Sequence, residues 1–382
     1  MKEQGIIYFD NNATTQVLPS VLETMLPFLK ECYGNPSSSY PLGTQAAVAL
    51  NQARKNIATL LECEPYQITF TSSGTEANNM AIASALEITG KRHIVTSGVE
   101  HSSIRKHCAI LEKKGFSITR VPVRQDGTLD SAEVEKAIRP ETALVTLMCA
   151  NNETGVQFPV EEISAICQKK NLLFHTDAVQ VVGKTPVHLN KIKVDYLSLA
   201  GHKFHAPKGV GALYIRERAN AVPYILGSQE RGFRGGTENV ASIVALGAAA
   251  KIAREEMDSH ISHVRALRDR FEAGVLAAVP EARVNGHTTL RMYNTSNIYF
   301  GGLESEAILL ALAQRGLCAS AGSACSSGST DPSPVLSAMG LGPRVGLGSV
   351  RFSFCYLNTK EEVERGIQLV TEVIQFLRQE TP

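Results

Sequence analysis

The sequence has no tryptophan, no Cys-x-x-Cys pair and no apolar stretch long enough to cross a bilayer. Its most apolar run, Val240 to Ala253, is broken by Ser242, Gly247 and Lys251 and falls short of the roughly 18 to 20 residues a membrane span needs. Near the N-terminus only Ile6 to Phe9 is apolar, too little for the core of a secretory signal. No membrane partner is expected, and the expected location is cytoplasmic. Eight cysteines, at 32, 63, 108, 149, 167, 318, 325 and 355, keep no clustered spacing, which argues for reduced thiols rather than a disulfide framework. His202 and His205 stand three apart, but with no cysteine pair at ligand spacing a zinc site lacks donors, and no metal is expected. An excess of one charge is missing too: Lys and Arg total 38 against 37 Asp and Glu, a formal net charge of +1. Without a single-sign run there is no polyelectrolyte arm, so nucleic acid is not an expected partner.

What is present is the composition of an ordinary folded protein. With 382 residues, 43% hydrophobic and 20% charged, the chain is neither disordered nor fibrous and has the length of two or three domains. Short β-rich runs (Ile68 to Thr71, His93 to Thr96, Leu144 to Cys149, Leu172 to Thr176, Val194 to Leu199) alternate with helical patterns. That alternation predicts an α/β fold with a large, mostly parallel sheet covered by helices on both faces. Functional groups should gather at the C-terminal strand ends. Glu238 to Ala278 reads as one long helix leading to a smaller αβ unit, with strands near Asn297 to Phe300 and Ser349 to Ser353 and helices near Ser305 to Arg315 and Lys360 to Gln379. The boundary is expected near residue 255. Between these elements, Ala319 to Gly328 has no apolar period and reads as a mobile loop.

Four segments carry candidate chemistry. Phe174-His-Thr-Asp177-Ala-Val-Gln180 ends a buried strand with an acid and an amide three residues apart; Asp177 is either a ligand group or a cap of the following turn. The next strand runs into Ala200-Gly201-His202-Lys203. A lysine there is either an exposed loop residue or a poorly solvated amine of the kind Schiff-base chemistry requires. Thr71-Ser-Ser-Gly74-Thr75-Glu76-Ala-Asn-Asn79 opens a helix after a strand and is an N-cap, or an N-cap that also seats a phosphate. Gly322-Ser-Ala-Cys325-Ser-Ser-Gly328 presents one cysteine with no apolar neighbour to bury it, as a nucleophile requires. A phosphate seat, a lysine and a buried acid together point to pyridoxal phosphate. A rival, the loose nucleotide-loop match Ala178 to Thr185, fails because Val179, Val181 and Val182 are β-branched and avoid the backbone angles such a loop needs.

Ten motifs lie in order along nearly the whole chain: Tyr8-Phe-Asp10-Asn-Asn-Ala-Thr-Thr15, Tyr33-Gly-Asn-Pro-Ser37, Gly74-Thr-Glu76, Glu100-His101, Asn151-Asn-Glu-Thr-Gly155, Asp177-Ala-Val-Gln180, Gly201-His-Lys203, Arg234-Gly-Gly-Thr237-Glu-Asn239, Gly322-Ser-Ala-Cys325 and Ser349-Val-Arg351-Phe-Ser353. The chain thereby resembles the cysteine desulfurases of the NifS/IscS type, and its small-residue cysteine loop resembles that branch rather than the SufS branch. The resemblance implies a pyridoxal phosphate-dependent transferase of fold type I that acts as a homodimer. It implies a large cofactor-binding domain over residues 14–255, with residues 1–13 and 256–382 forming a small domain that carries the cysteine loop.

By the same resemblance, Lys203 would hold the cofactor covalently and, once released, take the substrate α-proton. Asp177 would keep the pyridine nitrogen protonated, Gln180 would contact the ring hydroxyl, and His101 would stack on the ring and move protons. Asn152 would help orient ring and substrate. Gly74, Thr75, His202 and, from the other subunit, Thr237 would hold the phosphate beside the Gly201 turn. Arg351 would grip the substrate carboxylate, and Cys325 would take the sulfur of L-cysteine as a persulfide, release L-alanine and pass the sulfur to an acceptor such as an iron–sulfur scaffold protein. Many relatives carry serine where this chain has Ala200, so one phosphate hydroxyl is missing: either cofactor affinity is somewhat lower, or Ser198 or a water substitutes; Cys355 is given no role. An aminotransferase or β-lyase would share the cofactor site without needing Cys325. An idle scaffold for sulfur-acceptor proteins would need neither Lys203 nor Asp177.

Overall fold

The computed structural model describes residues 5–217, 219–322 and 332–380. Cys325 lies outside the described residues. The chain enters through a two-residue strand, β1 (Ile7–Tyr8), and then builds β2 (Ile68–Thr71), β3 (His93–Ser97), β4 (Ser117–Val121), β5 (Thr142–Met148), β6 (Leu173–Asp177), β7 (Tyr196–Ala200) and β8 (Gly211–Ile215). Strands β2 to β8 form one sheet in the order β2-β8-β7-β6-β5-β3-β4. It is parallel from β7 through β4, and β8 runs antiparallel to both its neighbours.

Burial on both faces accounts for these strands reading as apolar runs rather than as alternations. Adjacent residues divide between two hydrophobic clusters: Ile94 and Leu144 pack with Met80 and Ile104, whereas Val95 and Val145 pack with Phe174 and Leu246. The helix Gly74–Thr89 covers one face, and Ser73 caps it by accepting the Glu76 N–H. Its start comes so close to the turn after β6 that a Cβ on Gly74 would meet Val179 Cγ2 at 2.7 Å. A parallel sheet sends the C-terminal ends of β3, β5, β6 and β7 to a single edge, and the chemistry collects there.

The helix Val240–Ala278 is 39 residues long and passes unbroken through residue 255. It lies first against the helix Pro41–Leu61 and later against the helix Lys360–Glu380. Gly247 makes the first contact possible, since a Cβ there would meet Ala53 Cα at 2.5 Å. Beyond it, β9 (Ala282–Val284), β10 (Thr295–Phe300), β11 (Leu317–Cys318) and β12 (Ser349–Ser353) build the C-terminal unit. There β12-β10-β9 is an antiparallel sheet. The entering strand belongs to this unit: β1 pairs with β11, and Asp10 bridges to Ser353. With no tryptophan available, phenylalanines fill its core. Phe9 packs on Phe354 at 4.6 Å between ring centroids and Phe271 on Phe352 at 4.8 Å, pairs that each add about 0.5–1.5 kcal/mol beyond the area they bury. No helix among the described residues is long and apolar enough to cross a membrane.

Candidate active site

The C-terminal ends of β5, β6 and β7, the residue that follows β3 and its turn, and the start of the helix Gly74–Thr89 close on a cavity of about 200 Å3. Gly74, Thr75, His101, Asn152, Asp177, Gln180, His202, Lys203 and Arg351 all line it, although they come from segments up to 277 residues apart. Lys203 arrives by a short turn, Gly201–Lys203, directly after β7. Gly201 is buried behind the cavity, where a Cβ would meet Leu246 Cδ1 at 2.9 Å. The turn therefore packs flat and sends Lys203 inward, where Nζ donates to Asn12 O at 2.6 Å and Ala13 O at 2.8 Å.

Across the cavity, Asp177 closes β6. Its Oδ2 accepts from Asn78 Nδ2 at 2.7 Å and its Oδ1 from the Val179 N–H at 3.0 Å, which fixes the carboxylate plane. Asn78 also donates to Ser103 Oγ at 2.9 Å, and Ser103 Oγ lies 2.8 Å from His101 Nδ1. Because the Ser103 N–H donates to the same Nδ1, the hydrogen-bond network assigns the proton of the neutral ring to Nε2. Burial holds His101 below its ordinary value, against the opposing pull of Asp177, so the ring is neutral at pH 7. Burial, helped by the Lys203 charge, pushes His202 down to about 4. Under the sheet edge, Glu100 accepts from Ser97 Oγ and the Met148 N–H. Burial raises it to about 8, which makes it a protonated carboxyl at neutral pH.

Arg351 is 1% exposed. It donates from Nη1 to Asn152 O at 3.0 Å and from Nη2 to Asp10 Oδ1 at 2.6 Å, while its buried Nε has no partner. Gln180 donates to Asn12 O at 3.1 Å and accepts from Lys184 Nζ at 2.9 Å. Of the alternatives left open at Ala200, replacement by Ser198 is disfavoured: Ser198 Oγ lies 2.9 Å from His175 Nε2, in the sheet interior. Thr237 is outside this cavity and lines a second one, of about 260 Å3, with Ser72 and Arg234. Sequence reading did not single out Asp10, Asn12, Asn78 or Lys184 as site residues. Asp10 and Asn12 lay in a motif quoted for the resemblance, Asn78 in the helix start read for its phosphate seat, and Lys184 in the rejected nucleotide-loop match.

Residues 7–365 match the family model described as aminotransferase class-V. The chain is 49% identical over 380 residues to cysteine desulfurase 2 of Trichormus variabilis, covering 99% of this chain and 95% of that protein. Among solved structures, a NifS-like protein superposes with a TM-score of 0.91 at 38% identity, covering 97% of this chain and all of the other. SspA, solved in complex with cysteine, superposes with a TM-score of 0.80 at 34% identity, over 91% of this chain and 98% of that one. The fold is accordingly the type I fold of pyridoxal phosphate enzymes, and the chain belongs to the class-V aminotransferase family, among the cysteine desulfurases.

Proposed function

We propose that the protein is a pyridoxal phosphate-dependent cysteine desulfurase that converts L-cysteine to L-alanine and passes the sulfur on through Cys325. The observation that carries this reading is the convergence of Lys203 Nζ, the fixed Asp177 carboxylate and the Arg351 guanidinium on one cavity. The donor set fits the cofactor. Free N–H groups of the helix Gly74–Thr89, the Thr75 hydroxyl and His202 suit a phosphate, Asp177 suits a protonated ring nitrogen, and two buried polar atoms in the lining, Asn78 Oδ1 and Arg351 Nε, lack partners. Bound there, the cofactor supplies an electron-withdrawing ring that stabilises charge at the substrate α-carbon.

The residues around it do the rest. Lys203, freed when substrate binds, takes the α-proton, and His101, neutral and protonated at Nε2, can give or receive one. Arg351 binds the substrate carboxylate, for which a planar guanidinium is suited. The Cys325 thiolate attacks the substrate sulfur, forming an S–S bond as the carbon–sulfur bond breaks. Two protons return to the carbon product, so L-cysteine plus the Cys325 thiol become L-alanine plus the Cys325 persulfide with no outside oxidant. An acceptor thiol or a sulfur-acceptor protein, such as an iron–sulfur scaffold, then receives the sulfur. The enzyme works as a cytoplasmic homodimer, with Thr237 completing the phosphate site of the other subunit. The place of Thr237 beside Ser72 in a separate cavity, and the 83% exposure of Leu226 shortly before it, support that arrangement.

Incubated with L-cysteine and a reducing thiol, the purified protein should form L-alanine and sulfide in equal amounts. Borohydride should fix the cofactor to the peptide containing Lys203. Pyruvate and ammonia in place of alanine would instead identify a β-lyase.

A further inference from the structure

Lys184 touches the cavity lining through Gln180 but has no role in the reaction proposed above, yet it is a deeply placed amine, 8% exposed. It is brought inside by a turn that only glycine permits. Gly183 has φ +76°, and a Cβ there would meet Phe204 Cβ and Cγ at 2.6 Å, so the turn after β6 lies flat on Phe204 and the next side chain points inward. The Tyr293 hydroxyl anchors the position by donating to Lys184 O at 3.0 Å. From there Nζ donates to Gln180 Oε1 at 2.9 Å and to Asn12 Oδ1 at 3.4 Å. Both acceptors are neutral amide oxygens.

With its oxygen turned to the Lys184 amine, the planar Gln180 amide presents its N–H groups to the opposite side. In this arrangement Gln180 turns Nε2 toward Asn12 O, the same carbonyl that receives Lys203 Nζ. We propose that Lys184 is a positioning residue for the desulfurase reaction, acting through Gln180 and Asn12: it sets which end of the Gln180 amide faces the cavity and holds the Asn12 segment against Lys203. Without it only the Nε2 bond to Asn12 O still orients the amide, so a flip that turns the oxygen toward the ring hydroxyl Gln180 is read as contacting costs less. An amine donates whether charged or neutral, so the role persists on both sides of the Lys184 titration. The inference rests on the cofactor reading above, and its test separates the two.

The test is a double-mutant cycle on the holoenzyme, stripped and reloaded with pyridoxal phosphate, with two readouts: the cofactor dissociation constant and the pH midpoint of its visible band. Lys184→Met keeps length and removes the donor; Lys184→Leu gives the same comparison should the first variant not accumulate in folded form. Lys184→Met should weaken cofactor binding by about fivefold or more and move the midpoint, a lost hydrogen bond being a roughly fivefold to tenfold effect. In a Gln180→Ala background the same substitution should weaken binding clearly less, because only the longer bond to Asn12 Oδ1 is then left to lose. Equal effects in both backgrounds, or none in either, would overturn the proposal while leaving the desulfurase reading intact. A wild-type protein that binds no pyridoxal phosphate would overturn that reading instead.

Discussion

Asp10 Oδ1 lies 2.6 Å from Arg351 Nη2, and the other oxygen of the same carboxylate accepts from Ser320 Oγ at 2.8 Å. One acid near the entering strand thus neutralises the guanidinium proposed to bind the substrate carboxylate and ties it to the segment leading toward Cys325. A buried guanidinium stripped of its counter-charge is costly. Asp10→Asn keeps an acceptor but not the charge, and it should lower the unfolding free energy by about 1–3 kcal/mol. A carboxylate ligand supplies the missing charge, so saturating L-alanine should raise the thermal midpoint of Asp10→Asn more than that of the wild type. Equal shifts in both proteins would mean that Asp10 and the ligand do not share Arg351.

The same relationship shows what could and could not be read in advance. Asp177, Lys203 and the Gly74–Thr75 start were legible because each stands at a strand end or a helix start, where local sequence fixes the geometry. The strand runs were recovered within about two residues because buried parallel strands are continuous apolar runs. The partners of these residues were not legible. Asp10 and Arg351 are 341 residues apart, as are Asn12 and Ser353, and nothing local encodes such a pairing. The choice among the alternatives at Ala200 was not legible for a related reason: the Ser198 hydroxyl is taken by His175 on the neighbouring strand, a fact of sheet order rather than of sequence spacing.

Shared sites make a second expectation. Lys203→Ala and Thr237→Ala subunits should each be nearly inactive as homodimers. Their mixture should regain up to about a quarter of wild-type activity per site, because half the dimers are hybrids and each hybrid carries one intact site. Heterodimers that form without regaining activity would place Thr237 in its own subunit's chemistry.

Lys184 also predicts a pH dependence of stability. Burial first, then the charges of Lys203 and Arg351, push it down to about 7 in the native protein, whereas in the unfolded chain it holds its proton to about 10.5. Between those values the unfolded state binds more protons, so raising the pH favours folding. Cys355, His205, His260 and Tyr293 share its small cavity of about 30 Å3, and taking the difference from Lys184→Met largely cancels their titrations. The unfolding midpoint of wild type relative to Lys184→Met should therefore rise from pH 7 to pH 10 with the cofactor state held constant. A flat difference would mean that the native amine keeps its proton.

The central claim is that the sulfur leaves L-cysteine through Cys325, and the most direct measurement is product formation by Cys325→Ala. The variant should keep its cofactor's visible band and still change spectrum when L-cysteine is added, because Lys203, Asp177 and Arg351 are untouched. It should nonetheless release almost no alanine or sulfide, while Cys318→Ala, on β11, stays largely active. Alanine and sulfide produced by Cys325→Ala at the wild-type rate would contradict the persulfide route.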